Sequence, residues 1–303
     1  MIFPLPLQAG DTIAIVATAR KVSRDEMAPA IGILQQWGLQ VVEGENLYAD
    51  KNQYAGDDPL RAEDFQWALD NTKIKAVLFA RGGYGSVRII DRINFSEFKI
   101  NPKWLIGFSD ITTIHSHVHN QLNVATLHAP MAINFPKTPD AVLKQIKDFL
   151  FGNSIVLNAQ AHLLNRMGNA KGQLVGGNLS ILYSLTASAS DIDTKGKILF
   201  LEDLDEYLYH IDRMMMQLKR CGKLHSLAGL VVGAMSDMKD NTIPFGKTAE
   251  EIIAEHVSEY DFPVCFNFPA GHITENNPLA LGGYAKLIVA NKVSLKVNNK
   301  ALS

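Results

Sequence analysis

The chain has 303 residues, a mass of 33.4 kDa, a hydrophobic content of 47% and a formal net charge of -2. This length favours two domains that share an interface, and the composition is typical of a globular protein. The sequence has no stripe of Lys and Arg and no basic stretch interleaved with aromatic residues, so we expect no nucleic-acid partner.

Short apolar runs alternate with helical patterns in the first half of the chain, as in a doubly wound parallel sheet that is covered on both faces. Strands are predicted at 12–17, 39–44, 75–80, 103–108 and 124–129. Helices are predicted at 23–37, 60–70, 85–92, 110–121 and 139–151. The pattern therefore predicts an α/β fold.

The next segment, GNSIVLNAQAHLLNRMGNAKG (152–172), is polar and weakly periodic, which is typical of a domain boundary. We expect a first domain at 1–152, a linker at 153–172 and a second domain at 173–303. Strands are predicted in the second domain at 172–176, 197–202, 227–235 and 263–268, with a closing hairpin that turns at Asn291-Lys292. Helices are predicted at 178–188, 207–222 and 247–259.

The start of the chain, MIFPLPLQAGD, lacks the basic segment and apolar run of a secretory signal. No run of about 18 apolar residues is present for a membrane helix. The two cysteines, Cys221 and Cys265, lie far apart without CxxC spacing, which fits buried thiols in a reducing compartment and excludes a zinc site built from cysteines. We therefore expect a cytoplasmic protein that does not associate with a membrane.

The segment GFSD places Ser109 directly after the predicted strand 103–108 and before the predicted helix 110–121. A serine on such a turn projects its hydroxyl from the sheet, and the helix amides face any negative charge that develops beside it. The spacing matches the G-x-S part of a nucleophile elbow, although Ile111 stands where the second glycine would be. The alternative is that Ser109 only caps the helix.

The segment ARGGYGSVR (80–88) follows a predicted strand and has three glycines in four positions. Glycines there let the backbone approach a ligand and point its amides into a cavity. A phosphate cradle, an oxyanion hole and a purely structural turn are the alternatives. No G-K-[ST] and no G-x-G-x-x-G motif is present at the required place, so the sequence does not favour a nucleotide or dinucleotide cofactor.

Three other segments carry polar residues with open interpretations. The HSHVH cluster has Ser116 where an H-E-x-x-H zinc motif needs Glu, so solvated or core-edge histidines are expected. Glu202 ends a predicted strand, where sites of α/β proteins collect, but it begins a carboxylate cluster that could be solvated or bind a cation. His272 in NFPAGH also follows a strand, and a structural role is the alternative for it.

The segments RGGYG, GFSD, GGNLS, LFLED, IDRM and PAGH occur in the order and approximate spacing of the serine L,D-carboxypeptidase family. This family includes the murein tetrapeptide carboxypeptidases and the microcin C immunity proteins, and the resemblance covers nearly the whole chain. The resemblance implies a cytoplasmic hydrolase with an N-terminal Rossmann-like domain, a C-terminal mixed α/β domain and a homodimeric assembly. It implies no metal or other cofactor.

The matching motifs also imply roles for individual residues. Ser109 resembles the nucleophile, His272 the base and Glu202 the acid of a Ser-His-Glu triad at the interface of the domains. The oxyanion hole would be formed by the backbone amides of Gly83 and Asp110. A serine hydroxyl needs such a base, and the base needs a carboxylate that fixes its tautomer.

We therefore expect a serine hydrolase that cleaves the L,D peptide bond of a cytoplasmic murein tetrapeptide and releases its terminal D-alanine during peptidoglycan recycling. One alternative is a microcin-immunity-type hydrolase of an aminoacyl-nucleotide-like amide. Another is a catalytically silent peptide-binding protein. Arg81 is a candidate to bind the carboxylate of the terminal residue because a guanidinium matches its geometry, with an internal ion pair as the alternative.

Overall fold

The computed structural model describes residues 1–298, and these residues form thirteen strands, nine α-helices and three short 3₁₀ helices. The strands are β1 (Thr12–Val16), β2 (Gln40–Glu43), β3 (Ile74–Phe79), β4 (Trp104–Gly107), β5 (Thr126–His128), β6 (Ile155–Gln160), β7 (Gly168–Asn178), β8 (Ile198–Leu204), β9 (Gly229–Ser236), β10 (Val264–Cys265), β11 (Leu279–Leu281), β12 (Tyr284–Val289) and β13 (Lys292–Val297). The α-helices are α1 (Arg24–Gln36), α2 (Asp58–Asp70), α3 (Ser86–Ile89), α4 (Ser96–Ile100), α5 (Thr112–Leu122), α6 (Asp140–Leu150), α7 (Leu179–Ser184), α8 (Leu208–Arg220) and α9 (Ala249–His256). The 3₁₀ helices are Ile90–Arg92, Ser109–Ile111 and Ala132–Lys137.

The first sheet has the strand order β11-β5-β4-β3-β1-β2, and all of its strands are parallel except β11. Side chains alternate along β1 because successive residues of a strand point to opposite faces. Ile13 and Ile15 belong to a core that includes α1 and α6, whereas Ala14 and Val16 pack in a core with α2 and α5. Helices thus cover both faces, which confirms the predicted doubly wound arrangement.

The second sheet has the order β10-β9-β8-β7-β12-β13-β6. Its first four strands are parallel, and the remaining pairings are antiparallel. This confirms the predicted mixed α/β character of the C-terminal half. Among residues 1–298 we find no helix that combines the length and the apolar character needed to cross a bilayer.

The two sheets share a hydrophobic core. Leu199 and Leu201 of β8 face α8 and α9. Ile198 and Phe200, on the opposite face of the same strand, belong to one cluster with Leu127 of the first sheet. The end of β8 is therefore held against the first sheet, which brings carboxylates of β8 close to the turn after β4.

Strand β11 ties the two halves of the chain together. It lies late in the sequence, yet it pairs antiparallel with β5 in the first sheet, with Leu279 opposite His128. The chain leaves the second sheet after β10, passes through residues 266–278 and joins the first sheet as β11. The segment that contains His272 is thereby anchored in both sheets.

Three details differ from the expectations. The stretch 153–172, expected to be a linker, contains β6 and the start of β7, because β6 completes the sheet by pairing with β13. The division into domains at this stretch stays a prediction.

The hairpin between β12 and β13 turns one residue earlier than expected. Strand β13 already begins at Lys292, which pairs with Gln160 of β6. Cys221 is exposed rather than buried because it lies at the surface end of α8, whereas Cys265 is buried.

Candidate active site

Ser109 lies two residues after the end of β4, at the first position of the 3₁₀ helix that leads into α5. Its φ angle is 61°, which is uncommon for a residue other than glycine and costs on the order of 1–3 kcal/mol. The tight packing around the turn maintains this conformation: a Cβ at Gly107 would lie 2.9 Å from the Ile111 side chain. The turn directs the Ser109 hydroxyl towards the loop that follows β10.

His272 in that loop connects Ser109 with Glu202. Its Nε2 lies 3.0 Å from Ser109 Oγ, and its Nδ1 lies 2.6 Å from Glu202 Oε2. Since a carboxylate only accepts, neutral His272 donates its Nδ1–H to Glu202, and its Nε2 can accept the serine proton. Gly271 allows this approach, because a Cβ there would lie 2.8 Å from Glu202 Cβ.

Glu202 is fully buried near the end of β8. Burial alone would lower the pKa of His272, but the charge of Glu202, its hydrogen bond and the charge of Asp203 outweigh burial and raise the pKa of His272 above its ordinary value. The Glu202 carboxylate thus stabilises the imidazolium that forms when His272 accepts a proton.

Asp203, the next residue of β8, faces different groups. Its carboxylate accepts hydrogen bonds from Asn178 Nδ2 and from the backbone amides of Ser180 and Leu204, at 2.8–2.9 Å. Burial, followed by the charge of Glu202, raises the pKa of Asp203 to about 7. Asp203 therefore holds the start of α7 in place and does not bind the imidazole.

The glycine-rich segment 80–88 lies beside the serine turn. Gly82, Gly83, Ser109 and Asp110 line the same cleft, and Gly83 has a φ angle of 110° that favours glycine. The buried Asp110 carboxylate accepts a hydrogen bond from the Ser86 amide at 2.9 Å, which fixes the glycine-rich segment against the serine turn. The two residues whose backbone amides are expected to form an oxyanion hole therefore line the same cavity as Ser109.

The cleft has a volume of about 570 Å³ and lies between the two sheets. Three cationic side chains, Arg20, Arg81 and Lys137, line the side formed by the first half of the chain. The Arg81 side chain is 37% exposed, and its guanidinium lies 3.9 Å from Glu26. Arg81 thus has a long ion pair and also faces the cavity, so it can reach an anionic group of a ligand.

Comparison with known proteins shows which family this chain resembles. The LD-carboxypeptidase N-terminal domain matches residues 13–129, and the LD-carboxypeptidase C-terminal domain matches residues 171–287. A probable murein peptide carboxypeptidase of Bacillus subtilis (strain 168) is 33% identical to this chain, in an alignment that covers 96% of this chain and 93% of the relative. The chain belongs to the LD-carboxypeptidase family. This confirms the predicted family and enzyme class, a serine-type L,D-carboxypeptidase.

Solved structures resemble this LD-carboxypeptidase over nearly its whole length. The muramoyltetrapeptide carboxypeptidase from Oxalobacter formigenes has a TM-score of 0.86 and 26% identity, and the match covers 95% of this chain and 98% of that one. The microcin C7 self-immunity protein MccF in its wild-type apo state has a TM-score of 0.89 and 20% identity, with 100% of both chains covered. At that identity the similarity to MccF concerns the fold alone.

One group at the LD-carboxypeptidase cleft was not assigned a role from the sequence. Asn178, at the end of β7, donates from its backbone amide to Thr112 Oγ1 at 3.0 Å, and its side chain caps α7. The GGNLS segment is part of the family resemblance, but its residues alone indicate only a helix cap. Gly177 is required here, because a Cβ would lie 2.5 Å from Thr112 Oγ1.

The histidines of α5 lie at the contact between the two halves of the chain. The Ser116 hydroxyl donates to the Ser190 carbonyl at 2.5 Å, and His117 Nδ1 lies 2.9 Å from Ser190 Oγ. His115 is buried, its Nε2 lies 2.9 Å from the Gly107 carbonyl, and burial lowers its pKa to about 3. His115 and His119 are thus core histidines rather than solvated ones, and no group of metal-binding side chains occurs within residues 1–298.

Proposed function

We propose that this chain cleaves the L,D peptide bond before the terminal D-alanine of a murein tetrapeptide, with Ser109, His272 and Glu202 as its catalytic triad. The observation that carries the proposal is the continuous hydrogen-bonded chain from Ser109 Oγ through His272 to Glu202 Oε2. Family membership supports the reaction type. The names of a relative and of a solved neighbour, a murein peptide carboxypeptidase and a muramoyltetrapeptide carboxypeptidase, support the substrate class.

The reaction follows from the positions of these groups. Ser109 Oγ attacks the carbonyl carbon of the scissile bond while His272 Nε2 takes the hydroxyl proton. The oxygen of the tetrahedral intermediate becomes negative and is stabilised by the amides of Gly83 and Asp110. His272 then donates its proton to the nitrogen of the leaving D-alanine, and water hydrolyses the acyl-enzyme by the same steps.

The charges of the cleft suit a peptide that ends in a carboxylate. Arg20, Arg81 and Lys137 lie on one side of the cavity. On the other side, Asp205 forms an ion pair with Lys239 at 2.6 Å, and Glu206 contacts His210 at 2.5 Å. Asp205 is thus matched by a protein cation and Glu206 has a hydrogen-bond partner in His210, whereas the cationic side can neutralise the terminal carboxylate of the substrate.

Three further parts of the proposal are the peptidoglycan-recycling role in the cytoplasm, the homodimer, and the two-domain division in which Ser109 comes from the first domain and the other triad residues come from the second.

The microcin-type alternative needs a surface for a nucleotide-like group. Phe108 and His272 are the aromatic residues that line the cleft, and their ring centroids lie 4.8 Å apart. The lining of the cleft therefore gives no specific support to the microcin-type alternative.

The products from synthetic murein peptides test this function. Purified protein is incubated with tetrapeptide and pentapeptide stems, and the products are identified by mass. We expect the tetrapeptide to lose one D-alanine, and EDTA to leave the rate unchanged because the mechanism uses only protein groups. A product that has lost two residues, or cleavage of an aminoacyl sulfamoyl nucleotide with no cleavage of tetrapeptide, would contradict the proposed substrate.

The pH dependence of kcat/KM is expected to report the protonation of His272. Only neutral His272 can accept the serine proton, so activity should rise with pH through its pKa, which lies above the ordinary 6.5. Asp203→Asn removes the partial negative charge that Asp203 carries near its own pKa of about 7, so the acidic limb of the pH profile should move slightly to lower pH. If the acidic limb of the kcat/KM profile stays at the same pH in this variant, a group other than His272 controls the rise in activity.

The cationic side of the cleft yields a third test. Replacing Arg81 with Gln is expected to raise KM by roughly 10–100-fold with little change in kcat, because a charge-assisted hydrogen bond to the substrate carboxylate is lost. Arg20→Gln is the matched comparison. A larger rise in KM for the Arg20 variant would assign the carboxylate to Arg20 and leave Arg81 as a partner of Glu26.

A further inference from the structure

Behind the triad lie two buried polar residues that the reaction itself does not use. His128 is the last residue of β5 and is fully buried, and Asn276 lies in the loop between His272 and β11, with 2% of its surface exposed. His128 Nε2 lies 3.2 Å from Asn276 Oδ1. The contact joins a strand of the first sheet to the loop that carries the histidine of the triad.

The hydrogen bonds define the orientation of this pair. Asn276 Oδ1 accepts a second hydrogen bond from the Gly271 amide at 2.8 Å, which identifies that atom as the oxygen. His128 must therefore donate from Nε2, so it is the Nε2–H tautomer. Burial lowers the pKa of His128 to about 4, and the ring stays neutral with this donor in place at neutral pH.

The pair holds the residue that precedes His272. Gly271 has a φ angle of 114° and packs against Glu202. A shift of its amide would move the His272 ring relative to both Glu202 and Ser109. Asn276 Oδ1 holds this amide by a hydrogen bond, and His128 holds Asn276 in turn. His128 belongs to β5, which pairs with β4, the strand that precedes the serine turn.

Aromatic contacts close the arrangement. The His128 ring packs edge-on against two phenylalanine rings, with 5.0 Å between the ring centroids for Phe200 and 5.7 Å for Phe108. Phe108, the residue before the nucleophile, also contacts the His272 ring at 4.8 Å. His128 thus lies between the strand that carries Glu202 and the turn that carries Ser109, where a rigid neutral group can set their distance.

We propose that His128 and Asn276 are positioning residues that hold the Gly271–His272 turn in register with Ser109 and Glu202. Neither residue lines the cleft that contains Ser109. The inference rests on the proposed role of His272 as the base of the triad. It assigns a task to a buried histidine and a buried asparagine that neither the motifs nor the reaction explains.

Four variants test this proposal: Asn276→Ala, His128→Phe, His128→Gln and Thr126→Val. Asn276→Ala removes the acceptor, and His128→Phe keeps a ring but removes the donor. His128→Gln restores an N–H donor. Thr126→Val is the control, since Thr126 lies two residues earlier in the same strand and its buried hydroxyl has no partner among the described residues. Thermal unfolding of each variant shows whether the fold is retained.

The first readout is the proton NMR signal of the His272 Nδ1–H, which reports its hydrogen bond to Glu202 without any substrate. We expect Asn276→Ala and His128→Phe to shift or broaden this signal, and to lower kcat for D-alanine release by roughly 10–100-fold with KM unchanged. His128→Gln should recover most of both properties, and Thr126→Val should match the wild type.

The outcomes separate this proposal from the proposed function. A folded Asn276→Ala protein whose His272 signal and kcat equal those of the wild type would overturn the positioning role. The same holds if His128→Gln is as impaired as His128→Phe. If the wild type does not cleave the tetrapeptide, the substrate proposal fails, but the NMR signal still decides whether the pair positions His272.

Discussion

Replacing Glu202 with Gln is expected to lower kcat on the order of 10⁴, by analogy with the acid of other triads. The glutamine keeps the shape of the side chain, but its amide group can face His272 Nδ1 as a donor. The imidazole would then carry its proton on Nε2, where it cannot accept the proton of Ser109. The variant also lacks the charge that stabilises the imidazolium. Steady-state kinetics on the murein tetrapeptide measure this loss.

Asp203→Asn is the matched control for this variant. Asp203 is the next residue of the same strand and is also a buried carboxylate, but its hydrogen bonds go to Asn178 and to backbone amides. We therefore expect a much smaller loss of kcat. A larger loss for Asp203→Asn than for Glu202→Gln would mean that the acid is wrongly assigned. Small losses in both variants would mean that another group orients His272.

Replacing Ser109 with Ala should lower kcat by several orders of magnitude while the substrate still binds. The hydroxyl contributes to the transition state of the reaction rather than to substrate binding. Its removal leaves the cationic side chains of the cleft, Arg20, Arg81 and Lys137, unchanged. The alanine must adopt the same left-handed backbone conformation, so the unfolding temperature is measured beside the kinetics. Binding is measured by calorimetry with the tetrapeptide.

Two results would contradict this expectation. Turnover equal to that of the wild type would remove Ser109 from the mechanism. A variant that no longer binds the tetrapeptide, although it is folded, would mean that Ser109 contributes to recognition of the ground state. Strong binding without turnover in the wild type itself would instead favour a silent peptide-binding protein.

The strands that position the site were predictable because they are buried on both faces. The predicted strand 12–17 corresponds to β1 at Thr12–Val16, and the predicted strand 75–80 corresponds to β3 at Ile74–Phe79. Continuous apolar runs between helical patterns are a local signal of parallel strands. The fold class therefore follows from pattern alone.

Strands β6 and β11 were not predicted, for different physical reasons. β6 is an edge strand of the second sheet, and its alternating exposed residues gave it a polar composition like that of a linker. β11 has three residues, and its partner β5 lies about 150 positions earlier, with Leu279 opposite His128. Such a long-range pairing leaves no periodic signal in the sequence near it.

The candidate site shows the same limit. Ser109 and His272 follow strands and Glu202 lies near the end of one, and the structure places the three side chains in one hydrogen-bonded chain. Their catalytic roles stay predictions. His128 and Asn276 could not be predicted, because a lone histidine that ends a strand and an asparagine in a loop both have ordinary structural explanations. Only the three-dimensional arrangement brings them behind the triad.

The central claim, that Ser109 and His272 act as one unit, is tested most directly by a double-mutant cycle. The value of kcat is measured on murein tetrapeptide for Ser109→Ala, His272→Ala and the double variant. The residues of a triad act together, so the removal of one of them already removes most of their joint contribution to the rate. We therefore predict that the double variant is no slower than the slower single variant. If the two losses instead multiply in the double variant, Ser109 and His272 act independently, and the triad proposed here is contradicted.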